Sequence, residues 1–548
     1  MKKLKWIVLA LMITQSVLRA ATATPTPEEY WDQTSFKFAD LKAKISSTAC
    51  YKSQATFIGC VAAIDTLFAM AGISNVLISE DRMKDYGELK KDFGDLKWVT
   101  PIEREDLPPV ELVQAYRKMK RDDYQSLNSL YKNSKVNFDE IIKFAEDEVS
   151  PRVKSMAMAS GYAFNAYLNA TKDPHTRIMP SRQWNDLFNE NSNGDLIGVG
   201  AVIRKINKQF IIFTTLENGP AFRAGLKSGD IILQVGNEDV NKLEINELIK
   251  KLRGPEGSEV KILILRGNSV LERTILREKI VQPNVESKII QRAIGEKTIG
   301  YIKVRDFIPK VCDKVKEKID QFMEAKSDQK IPEALILDLR GNLGGLLNEA
   351  VCMTGIFVGE GVIAKTRSLQ ADIQTAKISQ EKQKTLLPVV TLINGRSASA
   401  SEIVAGALQD WQRSYLVGDR SYGKGTGQGI SGDPNFSGIY RFETIQRFYL
   451  PSGRTNQIVG ILPDFQAYSA PQATEMDKLA SREEDEYLNP LPFEGAPYVS
   501  LRPEAIRNIK DCVDQTGTAA KTFNENQNAS LAPDYQLLYA EDVLACIP

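Results

Sequence analysis

The chain has 548 residues, 43% hydrophobic and 26% charged; this is the composition of a globular protein, and the length calls for about three or four domains rather than one core. Lysine plus arginine and aspartate plus glutamate each number 70, so the formal net charge is zero, which removes any whole-chain electrostatic reason to expect nucleic acid or an anionic membrane as partner. A single histidine, His175, excludes a multi-histidine zinc site and leaves a Ser-His-Asp hydrolase only one residue to use.

The first residues read as an export signal. Met1 to Lys5 is basic, Trp6 to Leu18 is mostly apolar, and Ala21-Thr22-Ala23 fits a cleavage site. The apolar run is short for a membrane span and contains Thr14, Gln15 and Ser16. The expectation is a signal peptide over 1–23 and a periplasmic or other extracytoplasmic location. Disulfides suit such a compartment. The spacing of the six cysteines suggests Cys50–Cys60 and Cys512–Cys546, with Cys312 and Cys352 left over as a third pair or as buried thiols. No C-x-x-C spacing occurs, which disfavours redox catalysis and a zinc ribbon.

From Glu28 to about Asn169 the pattern is helical. Leu112, Ala115, Tyr116 and Met119 recur at i, i+3, i+4, i+7, as do Phe138, Ile141, Ile142 and Ala145. Asp173-Pro174-His175-Thr176 ends this region as a turn. From Asp195 the texture becomes strand-rich. Ile197 to Ile203 reads as one strand with glycine kinks, followed by strands at Phe210–Phe213, Ile231–Val235, Val260–Arg266 and Leu271–Arg277. Short helices are expected at Ala221–Leu226 and Leu243–Leu252. The run G-P-A-F-R-A-G-L-K-S-G-D-I-I-L-Q-V-G, Gly219 to Gly236, resembles the circularly permuted PDZ module of exported proteases. That resemblance implies a groove that takes a peptide C-terminus by strand addition. Its carboxylate would meet backbone N–H groups of the loop Ile197, Gly198, Val199, Gly200 and Ala201.

Beyond Val285 strand and helix signals alternate, which argues an α/β layered core. Thr298–Val304, Ala334–Leu339 and Leu387–Ile393 read as strands, the last two apolar enough for burial on both faces. Val311–Ala325 and Leu346–Phe357 read as helices. After Pro463-Asp464 the chain turns charged over Gln472–Tyr487, and Ala505–Val513 is a further helix signal.

The chemistry concentrates in Asn394 to Gln428. Three serines, Ser397, Ser399 and Ser401, sit among small residues just before a helical pattern, Ala400 to Leu408. A serine hydroxyl needs a base within reach, and a helix N-terminus offers N–H groups to a developing oxyanion. With one histidine in the chain, lysine becomes the leading base. Lys424 lies between Gly423 and Gly425, after the apolar strand pattern Tyr415–Val417; burial can lower a lysine's pKa far enough for this work. The glycine and lysine spacing of Gly418 to Lys424 imitates a phosphate-binding loop, but Gly425 stands where the magnesium-binding hydroxyl would be.

S-A-S-A-S-E-I-V-A-G-A-L-Q-D followed by G-K-G-T-G-Q resembles the carboxyl-terminal processing proteases, also called tail-specific proteases, of serine peptidase family S41. The resemblance implies Ser399 as nucleophile, Lys424 as general base and Gln428 as the residue that positions the lysine. It aligns the family's glutamate with Glu402 and puts the oxyanion hole at Ala400 and at Gly344 or Gly345, in the D-L-R-x-N-x-G-G loop. His175 falls on the family's D-P-H-T turn. The implied fold class is α/β, a crotonase-like core with an inserted PDZ module and helical N- and C-terminal regions. The implied division is a signal peptide at 1–23, a helical region at 24–190, the PDZ domain at 191–284, the catalytic core at 285–465 and an extension at 466–548. The implied function is an exported serine endopeptidase acting near the C-termini of polypeptides. It uses no metal or cofactor; an adaptor protein or a second copy would be its further partners. The alternative is a non-catalytic PDZ scaffold on a dead protease core.

Overall fold

The computed structural model describes residues 27–71, 131, 137–185, 196–468, 491–525 and 534–548, apart from short stretches inside those ranges. The expected signal peptide, the periodic segment at Leu112–Met119 and the charged segment Gln472–Tyr487 lie outside the described residues. The chain divides into two compact units.

The first unit comprises Met1–Asp186, Gln428–Thr444 and Tyr487–Asn489. Helices Gln54–Met70, Phe138–Val149 and Met156–Thr171 form its frame. Phe138, Ile141, Ile142 and Ala145 all turn inward, as their spacing predicts, and Asn137 caps the helix by accepting from the Glu140 N–H. Phe36, Phe57, Phe68 and Phe164 fill the same core. Strand Arg177–Pro180 pairs antiparallel with Ile439–Phe442.

The second unit comprises Leu187–Gly427, Ile445–Glu486 and Pro490–Pro548. Its first part is an antiparallel sheet in the order Ala201–Ile206, Gln209–Thr215, Ile231–Val235, Glu259–Arg266 and Ser269–Leu276. The single strand expected from Ile197 to Ile203 is in fact two. Gly200 takes a φ of 69°, a left-handed conformation open to glycine. Leu196–Gly198 then pairs with Glu278–Ile280, while Ala201–Ile206 pairs with Gln209–Thr215. Ala201–Ile206 forms one edge of the sheet.

Its second part is a six-stranded sheet in the order Val285–Gln291, Thr298–Val304, Ala334–Asp338, Val389–Ile393, Ser414–Gly418 and Phe465–Gln466. The first pair is antiparallel and the rest are parallel. Strand alternation explains why Ala334–Asp338 is buried throughout. Leu335 and Leu337 join a core with helices Val311–Met323, Leu347–Val358 and Ala400–Asp410. Ala334 and Ile336 join a separate core with Ile509 and Val513 of helix Pro503–Thr516, and with Ala540, Val543 and Leu544 of helix Tyr535–Cys546. The C-terminal extension therefore covers the second face of the sheet. A separate strand group, Gly361–Ser368 with Gln374–Ser379, was not foreseen in the sequence; Gln374–Ser379 is largely exposed, with no apolar run to mark it.

Both suggested disulfides form, Cys50–Cys60 and Cys512–Cys546, and Cys312 and Cys352, left open by the sequence, make a third. Cys312–Cys352 ties helix Val311–Met323 to helix Leu347–Val358 across a sequence separation of 40. Replacing both cysteines by serine should cost about 2–4 kcal/mol through the loop freed in the unfolded chain. A thermal midpoint unchanged from wild type would refute the link's contribution.

Candidate active site

Three neighbouring parallel strands, Ala334–Asp338, Val389–Ile393 and Ser414–Gly418, send their carboxyl ends into the loops 339–346, 394–399 and 419–425. The carboxyl edge of such a sheet is where α/β folds place their sites. Gly418 marks the exit of the third strand: a Cβ there would lie 2.0 Å from the Ile393 carbonyl oxygen, so only glycine lets the loops converge.

The three serines separate by their partners. The Ser397 hydroxyl donates to the Leu339 carbonyl at 2.8 Å, and the Ser401 hydroxyl to the Asn342 carbonyl at 2.8 Å. Both residues are fully buried. Their hydroxyls bolt the helix start to the loop that follows Asp338. Ser399 stands between them, half-buried. Its backbone is at φ 56°, ψ −114°, immediately before helix Ala400–Asp410. A non-glycine residue in this region is strained, and such strain collects at functional sites.

Loop 339–346 presses on that serine. Asn342 is fully buried and organises it: its carbonyl accepts from the Ala398 N–H, its Oδ1 from the Gly344 N–H, and its Nδ2 donates to the Val304 carbonyl. Gly344 has φ 103°, and a Cβ on it would lie 2.8 Å from Ser399 Cβ and 2.9 Å from the Ala400 nitrogen. Gly345, at φ 141°, is pinned against Phe307, whose carbonyl a Cβ would meet at 2.4 Å. Of the two glycines expected to serve an oxyanion, Gly344 has its N–H committed to Asn342.

Glu402 joins the serine to the lysine. Fully buried, it accepts at Oε2 from the backbone N–H groups of Ser399 (2.8 Å) and Lys424 (2.9 Å). At Oε1 it accepts from the Ser421 hydroxyl (2.6 Å) and the Gly423 N–H (2.8 Å). Burial pushes its carboxyl up to about 7, while the bonds from Ser421, Gly423 and Ser399 pull the other way. Four donors converging on two oxygens suit the ionised carboxylate, since a carboxylic proton would face a donor.

Lys424 is half-buried, and its Nζ donates to the Thr426 carbonyl at 3.1 Å. Its loop is held from the far side by buried polar residues. Gln457 Oε1 accepts from the Gly425 N–H at 2.7 Å, and the Ile458 N–H donates to the Gly423 carbonyl at 2.7 Å. Asn456 is fully buried, and its amide approaches the Glu402 carboxylate without reaching regular hydrogen-bond geometry. Asn342, Ser421, Asn456 and Gln457 had no assigned part in the sequence reading. Only Asn342 carried a signal, its place in the D-L-R-x-N-x-G-G loop.

Gln428 and His175 belong to the first unit, whereas Ser399 and Lys424 belong to the second. Gln428 Nε2 donates to Thr444 Oγ1 at 3.2 Å, and Thr444 Oγ1 donates to Asp173 Oδ1 at 2.6 Å. The same Asp173 carboxylate accepts from the His175 and Thr176 N–H groups and closes the expected turn. In the PDZ-like sheet, Val199 and Gly200 accept at their carbonyls from the Ala221 and Leu216 N–H groups, which fixes the Ile197–Ala201 loop.

The raised Glu402 carboxyl has a definite consequence. Its folded value exceeds the ordinary glutamate value of 4.5, so between about 4.5 and 7 the folded state holds the extra proton, and this group's contribution to stability falls as pH rises through that window. Glu402→Gln, which cannot ionise, lacks this dependence. Denaturant titrations should show the wild-type advantage over Glu402→Gln shrinking from about pH 5 to 7 and level above that range; an advantage that grows with pH would overturn the assignment.

Residues 298–467 match the family model described as peptidase family S41, and residues 212–266 match a PDZ domain model. The chain is 32% identical over 298 residues to a carboxy-terminal-processing protease of Bartonella bacilliformis, covering 53% of this chain and 66% of that protein. It is 29% identical over 396 residues to a tail-specific protease of Haemophilus influenzae, covering 69% of this chain and 54% of that one. The chain thus spans less than two thirds of the length of these relatives. Among solved structures, the photosystem II D1 C-terminal processing protease aligns at 22% identity with a TM-score of 0.37, over 69% of this chain and 99% of that one. Residues 298–467 thus form a peptidase family S41 domain, and the chain carries a PDZ domain at 212–266.

Proposed function

We propose that this protein is an exported serine endopeptidase that uses a Ser399/Lys424 dyad to cut polypeptides near their C-termini. The observation that carries the reading is Glu402: one buried carboxylate holds the backbone of the strained Ser399 and the backbone of Lys424 together. Ser397 and Ser401, by contrast, donate their hydroxyls to the carbonyls of Leu339 and Asn342.

In this mechanism neutral Lys424 takes the proton from Ser399 Oγ as that oxygen attacks the scissile carbonyl. The N–H groups of Gly345 and Ala400 receive the oxyanion; Gly344, whose own N–H is engaged by Asn342, keeps the approach open by lacking a side chain. The ammonium of Lys424 then protonates the leaving amine, and water admitted in its place hydrolyses the acyl-enzyme by the reverse sequence. Gln428 would position Lys424, with Thr444 and Asp173 fixing the glutamine in turn. Ionised Glu402 is part of the working state, which puts the active range at or above neutral pH.

The PDZ domain would capture the free C-terminus of the substrate. Support comes from strand Ala201–Ile206, which lies at a sheet edge beside the Ile197–Ala201 loop. Export rests on the basic and apolar first residues together with three disulfides. The division into 1–23, 24–190, 191–284, 285–465 and 466–548, with a crotonase-like core, remains our reading of the chain.

Purified wild type should cleave an unfolded protein with a free C-terminus, and Ser399→Ala and Lys424→Ala should each lose at least about 1,000-fold in kcat. Retained cleavage by either variant sinks the dyad. The kcat/KM profile of the wild type should rise on a limb well above the ~6.5 of a histidine base. Gly344→Ala should lose about 100-fold or more through displacement of Ser399. Amidating the substrate's C-terminus should raise KM; equal cleavage of free and amidated tails would remove the PDZ groove from substrate capture.

A further inference from the structure

The loop that presses on Ser399 begins at Arg340, and Arg340 is held from outside the peptidase domain. Its guanidinium is nearly enclosed, with 11% of the side chain exposed. Toward the sheet, Nε donates to Asp338 Oδ1 at 3.0 Å and Nη2 to Asp338 Oδ2 at 2.6 Å. Toward the C-terminal extension, Nη1 donates to Asp534 Oδ1 at 2.8 Å and to Gln536 Oε1 at 3.1 Å, and Nη2 to Asp534 Oδ2 at 2.7 Å. All five N–H donors of the fork are thereby satisfied. Lys303 lies 3.5 Å from Asp338, so two cations and two carboxylates balance.

The anchors on both sides are rigid. Asp338 is fully buried at the end of its strand and accepts from the Tyr301 hydroxyl at 2.7 Å. Burial alone would raise its carboxyl, but Arg340 holds it down at about 2. Asp534 is the N-cap of helix Tyr535–Cys546, accepting from the Leu537 N–H at 3.1 Å. That helix is packed on the sheet through Ala540, Val543 and Leu544 and disulfide-bonded to helix Pro503–Thr516. From Arg340 the chain runs at once into Gly341, whose N–H donates to Asn394, and Asn342, which organises Gly344.

We propose that Asp534 is a positioning residue for the oxyanion loop, acting through Arg340, so that the C-terminal extension sets the geometry in which Ser399 works. This rests on the Ser399/Lys424 reading for its kinetic consequence only. Asp338 fixes one edge of the guanidinium; Asp534 fixes the other and removes the remaining freedom of rotation. Without it, two N–H donors of a nearly enclosed cation lose their acceptors, and the loop that follows is anchored on one side.

Asp534→Ser keeps a helix cap but is too short to reach Arg340, and Asp534→Asn keeps the cap and one acceptor without the charge. Assayed well below the unfolding midpoint, Asp534→Ser should show about tenfold lower kcat at unchanged KM, with Asp534→Asn between it and wild type. Amide hydrogen exchange of the 340–345 segment should be faster in Asp534→Ser than in wild type while that of helix Ala400–Asp410 is unchanged. Wild-type exchange in that segment, or a kinetic loss confined to KM, overturns the proposal. A wild-type protein without peptidase activity would instead defeat the dyad reading, and the exchange measurement would still decide the coupling.

Discussion

A single buried carboxylate carries the site. Glu402 has no cation against it among the hydrogen bonds it accepts; its charge is spread over three backbone N–H groups and one hydroxyl. Removing a charge from water is costly unless every lone pair is met. That cost makes the arrangement exacting: the Ser399 turn, the Ser421 hydroxyl and the Gly423–Lys424 backbone must all be in place together. The strain at Ser399 is held by the same bonds, since its own N–H is one of the four donors. The serine and lysine are thus registered through their main chains.

The sheet supplies the rigidity this requires. Its central strands are apolar on both faces because helices cover one side and the C-terminal extension covers the other. The extension is accordingly part of the core that orients loops 339–346 and 394–399, and Arg340 gives it a direct line to the first of them. Close backbone approaches do the rest. Gly344 against Ser399, Gly418 against Ile393 and Gly423 against Ile458 each occupy a point where a side chain would push two loops apart.

Much of this was legible in the chain. Apolar periodicity placed Val311–Met323, Ala334–Asp338 and Ala400–Asp410 within a residue or two of their observed ends. That periodicity reflects burial, and burial dominates these elements. It failed for Gly361–Ser368 and Gln374–Ser379, where one face is wet and the residues are mixed. It also merged two strands across Gly200, because a left-handed glycine leaves no mark on hydrophobic pattern. Glu402 could be singled out by motif; Gln457 and Asn456 could not, since nothing local distinguishes a buried amide from one in solvent.

By itself the sequence determined the chemistry on offer: one histidine, a lysine between glycines, and three serines at the start of an apolar helix. Composition and short-range spacing suffice for that, because they record which groups exist and which way a segment curls. The motif resemblance already singled out Ser399 among the three; what the tertiary structure adds is that the hydroxyls of Ser397 and Ser401 meet the carbonyls of Leu339 and Asn342. The same holds for Arg340 and Asp534, far apart in the chain and joined only when the C-terminal helix settles on the sheet. Hydrogen bonds between distant segments are set by the packing of whole elements, and no local pattern encodes them.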